Sequence, residues 1–257
     1  MTNVLVCIKR VPDLGGEIRL TPDGMAVDDT SLGYTVSPHE DCAVELAIQT
    51  AKDTGGTATV LTLGSSDSVE QLRNALALGC TAAVLVEADG AAYGPADVAA
   101  AIADVVRAHE AAGTTYDLVL LGNDASDTGD FQVGIRLSYL LDRPVVAGIS
   151  TLSVQGDRVT ARGGSPDGGT EVFDVPLPAV LTVMEGGVEP RYPSIPGRMK
   201  AKKVAIEQVA PSREPAGSGR RRLKLPEAQP SQVTVLGNGP EAAGAVVDLL
   251  EQLGVSK

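Results

Sequence analysis

Four short runs in the first half of the chain are apolar at nearly every position: residues 4–8, 58–63, 82–86 and 117–121. A strand with one face in water alternates apolar and polar residues. Uninterrupted runs of this length therefore predict strands covered on both faces, as in a parallel sheet. Between them the apolar spacing lengthens to three and four residues. Residues 38–52 place Ala43, Leu46, Ala47 and Ala51 on one face, 68–78 repeat at Val69, Leu72 and Leu76, and 95–112 open on Pro95 and end before Gly113. With residues 129–141, these patterns predict four helices. Strand and helix in alternation imply right-handed crossovers. The expected fold class is α/β: a three-layer sandwich around a mostly parallel, doubly wound sheet.

Two stretches depart from this rhythm. Residues 13–36 carry the turn signal Pro22-Asp23-Gly24 between two short β-like segments and read as a hairpin. After Val145, residues 146–154, 158–162, 170–175 and 179–184 read as short strands with turns at 155–157 and 166–169, and the last of them returns to the parallel sheet. From Glu185 onward prolines recur at 190, 193, 196, 211, 215, 226 and 230. This spacing predicts an extended arm that wraps a partner, with a strand at Val233–Val235 and a terminal amphipathic helix over 240–253. The expected division is an α/β domain at 1–190 and an arm at 191–257.

Composition narrows the function classes. An apolar content of 43% in 257 residues supplies a sizeable core, and no run of about 18 apolar residues predicts membrane insertion. The first nine residues read as a strand and lack the features of a signal peptide, so a cytoplasmic location is the expectation. Cys7, Cys42 and Cys80 lie in apolar stretches with no Cys-x-x-Cys, which predicts buried free thiols, and His39 and His109 have no metal-ligand spacing. Charge is unevenly spread. Residues 191–224 hold ten Arg/Lys against Glu207 and Glu214, a balance of +8, so a total of −12 leaves −20 on the remainder. An acidic body with a basic segment predicts a protein-docking surface. Nucleic acid is a poor fit, because the basic stretch has only Tyr192 as an aromatic and the body repels phosphates.

The segment richest in chemistry runs from Gly122 to Gly134: Gly122, Asn123, Asp124, Ala125, Ser126, Asp127, Thr128, Gly129, Asp130, Phe131, Gln132, Val133, Gly134. It leaves the carboxyl end of an apolar strand and opens a helix, the place where open α/β sheets bind ligands. Gly129 and Gly134 allow close backbone approach, the free amides of the helix's first turn suit a phosphate, and Thr128 and Gln132 offer hydrogen bonds. The segment matches neither the Gly-x-Gly-x-x-Gly fingerprint nor the lysine-containing P-loop. The other strand ends in reach are Cys7–Lys9, Leu63–Ser65 and the helix start Ser37, Pro38, His39, Glu40, where Ser37 and Pro38 also read as an N-cap and N1 pair. No nucleophile, base and orienting group assemble into a catalytic set, which leaves a hydrolase or ligase without its residues. A stand-alone nucleotide-binding sensor with the same core remains open, although it has no need of the arm.

A second segment is more specific. Leu177-Pro178-Ala179-Val180 precedes a strand and is followed by Glu189-Pro190-Arg191-Tyr192-Pro193-Ser194-Ile195-Pro196, Met199-Lys200-Ala201-Lys202-Lys203. This combination resembles the signature of electron transfer flavoprotein beta subunits. Residues 4–11, 43–47, 73–79 and 117–134 are also similar to that family, and the resemblance covers about residues 1–210.

The resemblance implies a doubly wound domain plus a C-terminal arm that embraces an alpha subunit. It implies AMP buried at the strand ends, against Cys7, Ser37 to Glu40, Leu63 and Gly122 to Gly134, mainly through backbone amides. It implies an FAD held mainly by the alpha subunit, acyl-CoA or related dehydrogenases as electron donors, and a quinone oxidoreductase as acceptor. The stretch Glu189 to Ala201 is similar to the family's recognition loop, with Ile195 at the aliphatic anchor inserted into the dehydrogenase. Some members split electron pairs, carry a second FAD in place of AMP and oxidise NADH on the beta subunit. The family often has Asn-Pro-aromatic at the helix start where this chain has Ser37-Pro38-His39, and Ser165 stands where some members have an acidic gating residue.

Overall fold

Along the first strand Val4, Val6 and Ile8 face one apolar layer while Leu5 and Cys7 face another. All five are buried, which is why the run carries no polar position. The same division repeats in the neighbouring strands, so the sheet is covered on both sides and the three-layer expectation holds. A fully buried Val or Leu of this kind contributes about 1.5–3 kcal/mol.

A computed structural model describes residues 1–13, 15, 18–227 and 233–255. In chain order the elements are β1 (Val4–Ile8), β2 (Val11–Pro12), β3 (Tyr34–Thr35), α1 (Pro38–Thr54), β4 (Ala58–Gly64), α2 (Val69–Leu78), β5 (Ala82–Glu87), α3 (Pro95–Ala111), β6 (Leu118–Gly122), α4 (Val133–Leu141), β7 (Val145–Gln155), β8 (Arg158–Gly164), β9 (Thr170–Pro176), β10 (Ala179–Val183), α5 (Ile195–Ala201), β11 (Ile206–Val209) and α6 (Ala243–Gln252). The main sheet has the order β11-β5-β4-β1-β6-β10-β7-β8-β9. Every pairing from β11 to β7 is parallel, and β7, β8 and β9 add an antiparallel wing. Helices α1 and α2 pack on the layer of Val4, Val6 and Leu120, and α3 and α4 on the layer of Leu5, Val119 and Leu121. As expected, β10 returns to the parallel sheet, between β6 and β7. The early insertion is a hairpin: Leu20 bridges Val27 across the Pro22-Asp23-Gly24 turn, and β2 and β3 pair below it.

The region after Glu185 differs from the expected extended arm. Residues 195–201 are helical and 206–209 join the sheet beside β5. The prolines misled here because Pro196 occupies the first turn of α5, where its missing N–H costs nothing, and Ser194 caps that turn by accepting from Gly197 N–H at 3.1 Å. Gly197 lets the turn lie against α2, since a Cβ there would sit 2.4 Å from the Ala77 carbonyl oxygen. Arg73 on α2 donates to the Ala201 carbonyl at 2.5 Å and to Val204 O, occupying carbonyls at the end of α5.

The chain forms two compact units, residues 1–222 and 223–257, so 191–222 are part of the first. In the second unit, α6 confirms the expected terminal helix, while Val233–Val235 form no strand and Pro230 lies outside the described residues. All three cysteines are buried and free. Among the described residues, no helix is long and apolar enough to cross a membrane.

Candidate functional site

The chain moves outward from β1 to β4 and β5, then crosses back to β6 on the other side of β1. The carboxyl ends of β1 and β6 therefore flank a topological switch point, where neighbouring loops leave in opposite directions and open a crevice. Four segments meet there: the residues after β1, the first turn of α1, the end of β4 and the loop from Gly122 to Gly134.

The loop begins in a buried network. Thr182 on β10 donates its hydroxyl to Asn123 Oδ1 at 2.6 Å and accepts from Gly148 N–H at 3.0 Å, while Asn123 N–H donates to Val183 O at 2.8 Å. Gly122 is required by packing: a Cβ would lie 2.6 Å from Glu40 Cγ and 3.2 Å from Glu40 N, so any side chain would push α1 off the strand end. Further along, Thr128 and Gly129 both donate N–H to Ala125 O, and Gly129 and Phe131 adopt left-handed conformations with φ of 55° and 54°. The tight turn displaces the helix start from the expected Gly129 to Val133. Gln132 precedes α4 without capping it, because its Oε1 accepts from Arg136 Nε and Nη2 at 3.0 and 2.8 Å. The first-turn amides, which have no intrahelical partner, are left for another acceptor.

Three carboxylates fix the loop to its surroundings. Asp127 pairs with Lys9 Nζ at 2.7 Å, Asp130 with Arg220 Nη2 at 2.7 Å, and Asp124 Oδ1 lies 2.5 Å from His39 Nδ1 at an angle outside hydrogen-bond geometry. Ser37 Oγ accepts from Ser126 N–H at 3.0 Å and so ties α1 to the loop. His39 Nδ1 and Arg10 Nε are buried without a hydrogen-bond partner. Arg10 stacks its guanidinium 3.3 Å above the Tyr34 ring. The uncapped N-terminus of α4, beside Gly129 and Gly134, suits a phosphate-bearing ligand.

The sequence-derived residues thus converge, but not all through their side chains. Cys7 and Leu63 turn theirs into the apolar layer beneath α3 and α4, and burial drives the Cys7 thiol far upward. They face the crevice with backbone only. Pro38 is exposed at the rim and Phe131 is 56% exposed. Lys9, at the end of the expected Cys7–Lys9 strand end, joins the site through Asp127. Thr182 and Arg220 were not among the expected residues and are brought in by tertiary contacts.

Glu40 is buried and closes a capping box by accepting from Ser37 N–H at 3.2 Å. Burial pushes its carboxyl from 4.5 up to about 8, and Asp41 rises to about 6 for the same reason. A folded-state value above the unfolded one gives stability that is full below 4.5 and lost as pH rises through about 8. Gln at this position keeps an acceptor for Ser37. Glu40→Gln should therefore unfold at a higher temperature relative to wild type at pH 8 than at pH 5. Thermal melts at the two values check this, and an equal difference at both would count against a buried neutral Glu40.

The second candidate surface is rooted on α1. Arg191 grips Glu45 with Nε at 2.7 Å and Nη2 at 2.6 Å, and its backbone N–H reaches the same carboxylate at 3.3 Å. Cys42 Sγ donates to Val188 O at 3.4 Å. Beyond that anchor, Tyr192 is 94%, Ile195 81% and Met199 59% exposed. Glu189, Ser194, Pro196 and Lys200 are also exposed, whereas Pro190 and Pro193 are half-buried. Residues 185–190 and the first turn of α1 border a groove of 450 Å³. The basic segment is not uniformly free, since Arg191, Arg213 and Arg220 pair with Glu45, Asp104 and Asp130 of the acidic body.

The structure is a doubly wound α/β protein with a glycine-containing loop at its switch point and an anchored, solvent-facing apolar loop on the same chain. Residues 24–214 match the electron transfer flavoprotein domain. The electron transfer flavoprotein subunit beta of Bacillus subtilis is 35% identical over 207 residues, 80% of this chain and 78% of that protein. The proteins of the same name from Syntrophomonas wolfei (35% over 208 residues, 80% and 79%) and Homo sapiens (34% over 212 residues, 81% of each) are similarly related. The chain belongs to the electron transfer flavoprotein beta-subunit family.

Proposed function

We propose that the chain works as the beta subunit of a heterodimeric electron transfer flavoprotein. It binds AMP in the crevice between β1 and β6 and assembles with an FAD-bearing alpha subunit. In this reading the flavin supplies the redox chemistry, and this chain supplies position, partner choice and electrostatics. The adenine nucleotide is held by Ser37 to Glu40, by the backbone at Cys7 and Leu63, and by the loop from Gly122 to Gly134. Its phosphate meets the uncapped first turn of α4. Electrons arrive from an acyl-CoA or related dehydrogenase docked on residues 189–200 and leave towards a quinone oxidoreductase.

One observation carries the docking part. Ile195 is an 81% exposed aliphatic residue at the first position of a short helix that is held at both ends, by Ser194 and by Arg73. A large apolar side chain held rigidly in water is costly unless a partner covers it, and one buried aliphatic anchor ringed by polar contacts makes a hot spot. Ile195→Ala should weaken dehydrogenase docking by about 1–3 kcal/mol while FAD and AMP content stay unchanged. Flavin reduction followed at limiting dehydrogenase checks this; wild-type kinetics in the variant would sink the docking role.

A further inference from the structure

Residues 211–222 follow β11, and the matched electron transfer flavoprotein domain ends at residue 214. They lie on the first compact unit through a chain of polar contacts. Ser212 Oγ donates to Asp104, and Arg213 Nη2 lies 3.1 Å from the same carboxylate. Ala216 N–H and Gly217 N–H both donate to Asp97 at the start of α3, at 3.0 and 2.8 Å. Backbone meets backbone there, since a Cβ on Gly94 would stand 2.4 Å from Gly217 O. The series ends at Arg220, whose Nη2 donates to Thr128 O at 3.0 Å and to Asp130 Oδ1 at 2.7 Å. One guanidinium thus bridges the two residues flanking Gly129.

That position matters because the loop is strained where Arg220 holds it. Phe131 keeps φ at 54°, a left-handed conformation that a bulky non-glycine residue holds only at an energetic cost. Such a conformation persists only when the surroundings fix it. The surroundings here include Ser37 and Lys9 from the first 40 residues, which hold Ser126 and Asp127, and Arg220 from a segment 90 positions away from Asp130. Arg220 alone reaches both a carbonyl and a carboxylate, so it sets the turn at Gly129 in addition to neutralising a charge.

We propose that Arg220 is a positioning residue of the nucleotide site, the clasp by which the 211–222 strap holds the Gly122–Gly134 loop in its binding conformation. The proposal rests on the reading of the crevice as an AMP site. Without the clasp the loop spends part of its time in other conformations, and apparent affinity falls by the fraction that remains competent.

The experiment is exchange of labelled AMP into the intact heterodimer. Arg220→Ala should exchange at least about five-fold faster than wild type, the lower end of coupling between linked sites. Arg220→Lys, which keeps the charge but not the fork, should fall between them. Asp130→Asn should speed exchange alone yet add little on top of Arg220→Ala, because both remove one tether. FAD content and melting temperature should be unchanged, separating positioning from general loss of structure. Wild-type exchange in Arg220→Ala, or full additivity of the two changes, would overturn the clasp while leaving the AMP site intact. A wild-type heterodimer that holds no AMP would overturn the site reading itself, and the clasp with it.

Discussion

Arg191→Ala is expected to destabilise the protein by about 2 kcal/mol at neutral pH, from the cost of leaving a buried carboxylate unpaired. The Glu45 side chain is 5% exposed and receives the whole fork of Arg191. Once the guanidinium is gone, no cation faces it, and only Gln49, at 2.6 Å, and the backbone N–H of residue 191, at 3.3 Å, still donate to it. The fork itself is partly exposed, 40% at its side chain, which keeps the estimate below that for a fully buried pair.

The effect has a pH signature. Burial opposes ionisation of Glu45, but the hydrogen bonds from Arg191 and Gln49 outweigh it and hold the carboxyl below its ordinary value of 4.5. A depressed folded-state value gives stability that is present above 4.5 and lost as pH falls through the folded value. The difference between wild type and variant should therefore shrink in acid. Urea unfolding at pH 7 and pH 4 measures it, and a gap that is constant or widens in acid contradicts the pairing argument. Because Arg191 is the root of residues 192–200, the variant should also react more slowly with a dehydrogenase.

Gly134→Val should do comparable damage by the opposite route. Gly134 lies in the first turn of α4, and a Cβ built there would stand 2.3 Å from Thr182 Cγ2 on β10. Thr182 is 3% exposed and already committed to Asn123 and Gly148, so it has nowhere to turn. Overpacking of this kind costs about 1–3 kcal/mol. The helix must move away from the sheet, taking the loop's end and its free amides with it. We expect both a lower melting temperature and loss of bound nucleotide, whereas Arg191→Ala should keep its nucleotide. Retention of nucleotide by Gly134→Val would show that the first turn of α4 does not form the site.

Much of this was legible in the chain. The apolar runs at β1, β4, β5 and β6 could be read because both faces of those strands are covered. The loop after β6 stood out because glycines and small polar residues there interrupt two apolar elements. The helix start slipped from Gly129 to Val133 because Phe131 in a left-handed conformation has no local sequence signal. The folding-back of residues 195–209 was hidden for a similar reason: proline marks a helix's first turn as readily as an extended chain, and only contact with α2 and β5 decides between them. The ion pair of Asp130 with Arg220 spans 90 positions and leaves no trace in local pattern.

The central claim, that this chain is an AMP-binding beta subunit carrying no flavin of its own, is tested most directly by counting cofactors. The chain is purified together with its alpha subunit, and FAD and AMP are released and quantified. The account predicts one FAD and one AMP per heterodimer. Two FAD and no AMP would contradict it and mark the electron-splitting type, and a chain that binds neither a partner nor a flavin would return the protein to the sensor class.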